Sequence, residues 1–252
     1  MKCDIKIYGI HQRDFLIKPL KEKLKLNDED VIYDDRKEGG LVLYTLEKAF
    51  CSPMDDYITH RLCLPDDMIC CDNFKIILNK IVNTHSDKIV CLFPYNFYLY
   101  ESKYKPQPSP YIRGNGLLCG NGIIMPKQYI KDCFEFIHNE HPYDYDKQRE
   151  EIVIMDWVRA SHKKVINTIP APVQHIGDDY RSYLPYEVKR NRKTKFFKQD
   201  CLTNVNWENK EIVDFPNYDY TLKTRIRDSV LMGHGIYLDE NFKPRKEKKE
   251  NG

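Results

Sequence analysis

Leu62-Cys63-Leu64-Pro65-Asp66-Asp67-Met68 is an apolar run that stops at two adjacent carboxylates. In α/β proteins, ligands collect at the carboxyl ends of the strands. Two acids placed there repel one another unless a cation or a hydroxyl-rich ligand holds them. A solvated turn after a strand is the plain alternative. Far downstream, Pro172-Val173-Gln174-His175-Ile176-Gly177 also ends a short apolar run, this time in an imidazole with a glycine behind it. A paired acid early and a strand-end His late point to a divalent-cation site able to hold a phosphate-bearing substrate.

Outward from that run, strands and helices alternate. Ile5 to Ile10 is β-branched with alternating polarity and predicts a first strand. Phe15 to Leu26 has helical spacing, with Asp14 as its N-cap and Asn27-Asp28 as its end. Val31-Ile32-Tyr33 predicts a second strand that stops at Asp34-Asp35-Arg36, and Gly39-Gly40 opens a helix through Phe50. The third strand runs from Thr59 to Leu64, a helix follows from Phe74 to Asn83, and Ile89 to Phe93 makes the fourth strand. Residues 94–116, with Pro106, Pro108 and Pro110, read as one long loop. Leu117 to Met125 reads as a strand carrying Gly120-Asn121-Gly122, Pro126 starts a helix to about His138, Glu150 to Ser161 is helical, and Val165 to Ile169 is a strand. Such alternation gives an α/β fold, a three-layer α/β/α sandwich with a mostly parallel central sheet.

After Tyr180 the texture changes. Residues 187–200 are strongly basic with Phe196 and Phe197 inside the run, and residues 241–252 are charged enough to be disordered. The expected division is therefore residues 1–182 as the catalytic domain, 183–240 as a basic, aromatic C-terminal extension and 241–252 as a tail. No internal repeat is present.

Forty basic and thirty-eight acidic residues leave a net charge of +2, which excludes a wholly basic nucleic-acid coat and leaves room for a local patch. Nine cysteines occur without a Cys-x-x-Cys pair, so reduced thiols in a cytoplasmic protein are expected. The N-terminus lacks the apolar core of a signal peptide, and no run approaches the ~18 apolar residues of a membrane span.

Asp66 and Asp67 are the first candidates for binding chemistry, and the neighbouring pair Asp55-Asp56 lies in a Pro53-marked turn before the strand. Asp34 and Asp35 stand where a strand-end acid accepts hydrogen bonds from a ribose or base. His11-Gln12-Arg13 follows the first strand, where Arg13 can clamp a phosphate or base. Lys48 can reach a phosphate from the next helix. Gly120-Asn121-Gly122 permits close backbone approach to a ligand but is no phosphate loop, because no Gly-Lys-Ser/Thr follows. Glu150 and Glu151 open a helix, where acids are ordinarily explained by the helix dipole and where one can also act as a general base. Asp144 and Asp146 just before them can do the same work.

In this order the segments resemble GT-A-type glycosyltransferases, and most closely the short nucleotide-sugar enzymes of phages, large viruses and bacteria. The likeness rests on His11-Gln12-Arg13 and on Asp34-Asp35-Arg36 with Gly39-Gly40. It continues in Thr59-His60-Arg61-Leu62 through Asp66-Asp67, Gly120 to Pro126, Glu150-Glu151 with Trp157, and Pro170 to Gly177. It spans residues 4–180. Two departures stand out: Glu-Glu replaces Asp-Asp at the acidic pair, and Asp-Asp replaces the spaced Asp-x-Asp form.

The resemblance implies a GT-A-like fold and a metal-dependent hexosyltransferase that moves glucose from UDP-glucose to an acceptor hydroxyl with inversion. Asp67 and His175 would hold Mn²⁺ or Mg²⁺, with Asp66 assisting or binding ribose. Arg13, His11, Asp34, Asp35 and Lys48 would hold the nucleotide, and Gly120, Asn121 and Gly122 would face the sugar. Glu151, or Glu150 beside it, would be the base. Arg190, Arg192, Lys195 and Phe196 would bind the acceptor. A hydroxymethylated pyrimidine in phage DNA suits that basic, aromatic segment; a glycan or protein acceptor suits the rest of the site equally. The other two classes are a metal-dependent nucleotidyltransferase and a non-catalytic nucleic-acid-binding module.

Overall fold

The computed structural model describes residues 2–35, 42–94, 108–113, 121–141, 150–176, 194 and 196–214, with the side chains of residues 151 and 152 also left out. The first strand, β1 (Cys3–Gly9), leads through a 3-10 turn at His11–Arg13 into α1 (Asp14–Leu24). Then come β2 (Val31–Tyr33), α2 (Val42–Cys51), β3 (His60–Pro65), β4 (Met68–Cys70), α3 (Phe74–Thr84) and β5 (Ile89–Cys91). The remainder is β6 (Tyr111–Arg113), β7 (Ile123–Pro126), α4 (Lys127–Glu140), α5 (Glu150–Ala160), β8 (Val165–Thr168), β9 (Val173–His175) and β10 (Val213–Asp214).

Eight of these strands form one sheet in the order β10-β6-β8-β5-β7-β3-β1-β2. β1 pairs in parallel with β2 and β3, β5 with β8, and β6 with β10. β7 runs antiparallel between β3 and β5, and β6 antiparallel to β8. The carboxyl ends of β1, β2, β3, β5 and β8 therefore share one edge. The start of β7 joins them, because Ile123 lies opposite both Cys63 and Cys91. β4 and β9 form a separate antiparallel pair in which Met68 faces His175.

Both faces of the sheet are covered, which is why the central strands read as continuous apolar runs: all six residues of β3 are buried. On one face, Ile17, Leu20 and Leu24 of α1 and Phe74, Ile77 and Ile81 of α3 pack on Ile5, Ile7, Leu62 and Leu64. On the other, Leu43, Leu46 and Phe50 of α2, Phe134 of α4, and Trp157 of α5 pack on Cys63, Ile123 and Met125. That is a three-layer α/β/α sandwich. Residues 196–214 join it: Trp207 and Cys201 are buried in the first cluster, and the Trp207 carbonyl accepts a 2.6 Å bond from the Tyr111 hydroxyl.

The structure differs from the sequence reading in four places. Asp14 is not an N-cap but the first helical residue; Arg13 stands at the cap without a side-chain bond, and Asp14 instead accepts 2.7 Å from the Tyr33 hydroxyl. The 94–116 stretch contains β6 at its end, since Tyr111 and Ile112 are buried against β8. Of the strand expected from Leu117 to Met125, residues 117–120 lie outside the described residues, and Asn121 and Gly122 precede β7 rather than belong to it. The carboxylate pair does not end in open loop but turns directly into β4.

At the opposite edge, where β3 begins, Arg61 is wholly buried. Its guanidinium donates to the Ala49 and Phe50 carbonyls at the end of α2 at 3.1 and 2.8 Å, to the Ser52 carbonyl and hydroxyl, to the Pro53 carbonyl and to Asp4 Oδ2. A cation among the last carbonyls of a helix satisfies acceptors that the helix cannot. Next to it His60 is held by Thr59 Oγ1 at 2.8 Å and the Ser86 carbonyl at 2.9 Å.

Candidate functional site

The turn between β3 and β4 places Asp66 and Asp67 side by side at the strand-end edge, both largely buried. Asp66 packs over Gly9, the last residue of β1. A Cβ on Gly9 would fall well inside van der Waals contact of the Asp66 Cβ and Oδ2. Gly9 is thus needed for close approach rather than for backbone freedom. The Asp66 carboxylate then accepts 3.1 Å from the Ile10 amide and 2.7 Å from Arg13 Nη1. The same Arg13 nitrogen lies 3.1 Å from Asp67 Oδ2, so one guanidinium bridges both acids.

Asp67 Oδ2 also lies 3.2 Å from His175 Nε2. β4–β9 pairing brings these two together, and the Asp67 carbonyl accepts 2.8 Å from the Ile176 amide just beyond. His175 is 1% exposed, and its Nδ1 has no hydrogen-bond partner among the described residues. The neighbouring Gln174 side chain takes 2.8 Å from the Thr194 amide and gives 2.9 Å to the Thr194 carbonyl, fastening that residue to β9 as a strand neighbour would.

Burial, the largest influence, pushes the Asp66 carboxyl up, and Asp67 adds to it; Arg13 and the Ile10 amide oppose it without reversing it. For Arg13, burial acts to weaken the guanidinium, but the two carboxylates outweigh it and raise its pKa. The Tyr8 hydroxyl, one residue before Gly9, is buried without a described partner, and its ionisation is suppressed first by burial and then by Glu150.

A second group gathers at the ends of β1 and β2. The His11 and Tyr33 rings stack at 3.8 Å with 13° between planes. Asp35 lies 3.8 Å from His11 Nε2 and 3.9 Å from Lys48 Nζ, while the Asp34 amide binds the Gly9 carbonyl at 2.9 Å. His11 and Asp35 are mostly exposed, so this aromatic and charged shelf is open.

Of the other expected residues, Gly122 has φ 73° at the start of β7, and its carbonyl takes 2.9 Å from the Leu92 amide. Asn121 beside it is half-buried, as is Glu150 at the start of α5. Phe196 is half-buried; its carbonyl accepts 2.9 Å from the Ala171 amide, and its amide donates 3.2 Å to Thr194 Oγ1. Gly120, Asp144, Asp146, Arg190, Arg192, Lys195 and the Glu151 side chain lie outside the described residues. The sequence reading passed over Tyr8, Gly9, Gln174 and Thr194. A glycine ending a strand of the alternating kind was the one available signal, and the pairing partner of Gln174 is remote in sequence.

No cluster of three or more His, Cys, Asp or Glu side chains is gathered for a metal among the described residues. Asp67 and His175 do fit as a partial shell. A separation of 3.2 Å between Oδ2 and Nε2 allows both to reach one cation, and hard divalent cations commonly take only one or two carboxylates, the rest being water and phosphate oxygens. Arg13 competes for the same Asp67 oxygen.

No protein-family model matches the chain, and no curated protein matches it in sequence. Among solved structures, it is similar to a mannose-1-phosphate geranyltransferase from Thermus thermophilus, with 12% identity over 67% of this chain and 74% of that one and a TM-score of 0.43. It is also similar to A197 from STIV, with 12% identity over 69% and 84% and a TM-score of 0.36.

Proposed function

We propose that the chain is a GT-A-type transferase that moves glucose from UDP-glucose to an acceptor hydroxyl with inversion. The observation that carries this reading is the meeting of Asp67 with His175 beside the Arg13-bridged Asp66, at the strand-end edge where α/β folds bind ligands. A catalytic centre needs donors that converge and are only partly satisfied. Here the acids come from one turn and the imidazole from a segment about a hundred residues later.

Arg13 offsets part of the acids' charge in the free protein and would contact donor phosphate. The open His11–Tyr33 stack, with Asp35 and Lys48 at its rim, is a fitting platform for the nucleoside. Asp67 and His175 would hold Mn²⁺ or Mg²⁺. When bound, that ion supplies positive charge to the diphosphate oxygens as they leave. Asn121 and Gly122 offer backbone to the sugar. The acid pair opening α5 supplies the base that takes the acceptor proton. Glu151, or Glu150 beside it, takes that part. The acceptor surface is assigned to Arg190, Arg192, Lys195 and Phe196, with hydroxymethylated DNA as the acceptor these residue types suit.

The test is a thermal-shift panel of nucleotide sugars and nucleoside triphosphates, each with and without Mn²⁺. Stabilisation by UDP-glucose that needs Mn²⁺ is expected. Stabilisation by a triphosphate alone points to nucleotidyl transfer. Binding of DNA without any nucleotide response leaves a nucleic-acid-binding module.

A further inference from the structure

A cation held between Asp67 and His175 would use Asp67 Oδ2, and two nitrogens already share that oxygen: Arg13 Nη1 at 3.1 Å and His175 Nε2 at 3.2 Å. A carboxylate oxygen has about two lone-pair directions to offer, so the cation must contend with the guanidinium. Arg13 is well held there. Its Nη1 also meets Asp66 Oδ1 at 2.7 Å, and its side chain is 15% exposed beside acids at 5% and 9%. Charges so far out of water are weakly screened, and a unit charge a few ångströms from an incoming divalent cation opposes it. The rest of the guanidinium is not engaged. Nε and Nη2 of Arg13 have no partner among the described residues, and together they form the planar pair of donors that suits a phosphate.

We propose that Arg13 is a specificity-determining residue: it keeps a divalent cation off Asp67 and His175 until a diphosphate occupies its other two nitrogens. Only a ligand that brings several negative charges offsets the guanidinium and the ion at once. Ion and diphosphate therefore bind together, and an uncharged nucleoside gains nothing from the ion. The coupling is reciprocal, so the factor by which UDP tightens the ion is the factor by which the ion tightens UDP. This inference rests on the reading of Asp67 and His175 as the metal pair.

The test is Mn²⁺ binding to the full chain, read from the loss of the free-ion EPR signal, alone and with UDP or uridine. A protein-free titration subtracts the ion that UDP itself binds. Wild type should bind Mn²⁺ at least about 10-fold more tightly with UDP than alone, and no more tightly with uridine. Ligand-free Arg13→Ala should bind Mn²⁺ at least about 10-fold more tightly than ligand-free wild type, because a unit charge has left an oxygen the ion needs. Arg13→Lys keeps the charge and should stay close to wild type. Adding Asp67→Asn to Arg13→Ala should remove the gain, which ties it to this oxygen. Where Arg13→Ala does not fold without the ion, Arg13→Gln carries the same expectation. Ligand-free Arg13→Ala or Arg13→Gln that binds Mn²⁺ no more tightly than wild type, or an equal gain in Arg13→Lys, makes Arg13 a structural counter-charge. Either result overturns the inference and leaves the proposed function standing. No Mn²⁺ binding by wild type even with UDP, or binding that Asp67→Asn leaves intact, overturns the proposed metal centre, and the inference falls with it.

Discussion

A guanidinium meets each end of β3, Arg61 buried within the strand and Arg13 half-buried on the turn after β1, and the two are built differently. At its beginning Arg61 meets four backbone carbonyls, a hydroxyl and the Asp4 carboxylate, and His60 beside it has partners on both ring nitrogens. At its end Arg13 meets, among the described residues, only Asp66 and Asp67, while the Tyr8 hydroxyl and His175 Nδ1 stand without described partners. A completed polar network holds a fold in place. One left short is where the atoms of a ligand belong.

The comparison breaks most readily at Arg61. Arg61→Leu strands the Asp4 carboxylate and the last carbonyls of α2, so a loss of about 3–5 kcal/mol in urea unfolding is expected. A variant as stable as the wild type would reduce the first network to decoration. Gly9→Ala acts at the other end. The new methyl must displace Asp66, at a cost of about 1–3 kcal/mol, and Mn²⁺-dependent UDP-glucose stabilisation should be lost with it. Retained ligand response would show that Asp66 has no fixed place in binding. Asp67→Asn should abolish that response while the ligand-free melting temperature moves little; His175→Ala should abolish it too, with a lowered ligand-free melting temperature because the imidazole is fully buried. Wild-type turnover in excess chelator would remove the metal from the scheme.

The smallest effect is a titration. Burial, the main cause, holds the His60 pKa below its usual 6.5. The unfolded chain therefore takes up a proton that the folded one refuses. Stability from this residue is complete above about pH 6.5 and drains away as pH falls toward the lowered value, by at most about 1.4 kcal/mol per unit. Urea midpoints at pH 7 and 5.5 should differ less in His60→Gln than in the wild type.

The contrast also explains what could be read in the sequence. β1, α1, β3 and α3 were legible because long apolar runs and helical spacing are local signals. β4, β6 and β10 are two or three residues long and exist only through partners elsewhere. Asp66, Asp67 and His175 stood out as polar residues closing apolar runs. Arg13 as their bridge did not, because its reach depends on the 3-10 turn that follows β1. Within Thr59-His60-Arg61-Leu62 the resemblance to glycosyltransferases rested partly on His60, which sits with Arg61 at the far end from the acids, where both hold the architecture.

The pairing of β4 with β9 has a kinetic side. Asp67 is made early on the ribosome, and His175 follows about a hundred residues later. Closing so large a loop costs entropy that local contacts do not repay, so this three-residue ribbon is a late event in folding. A nascent or truncated chain can build β1 through α3 and still lack the imidazole. The meeting of Asp67 with His175 thus waits on a segment made after β8 and dates the folding of the chain's second half.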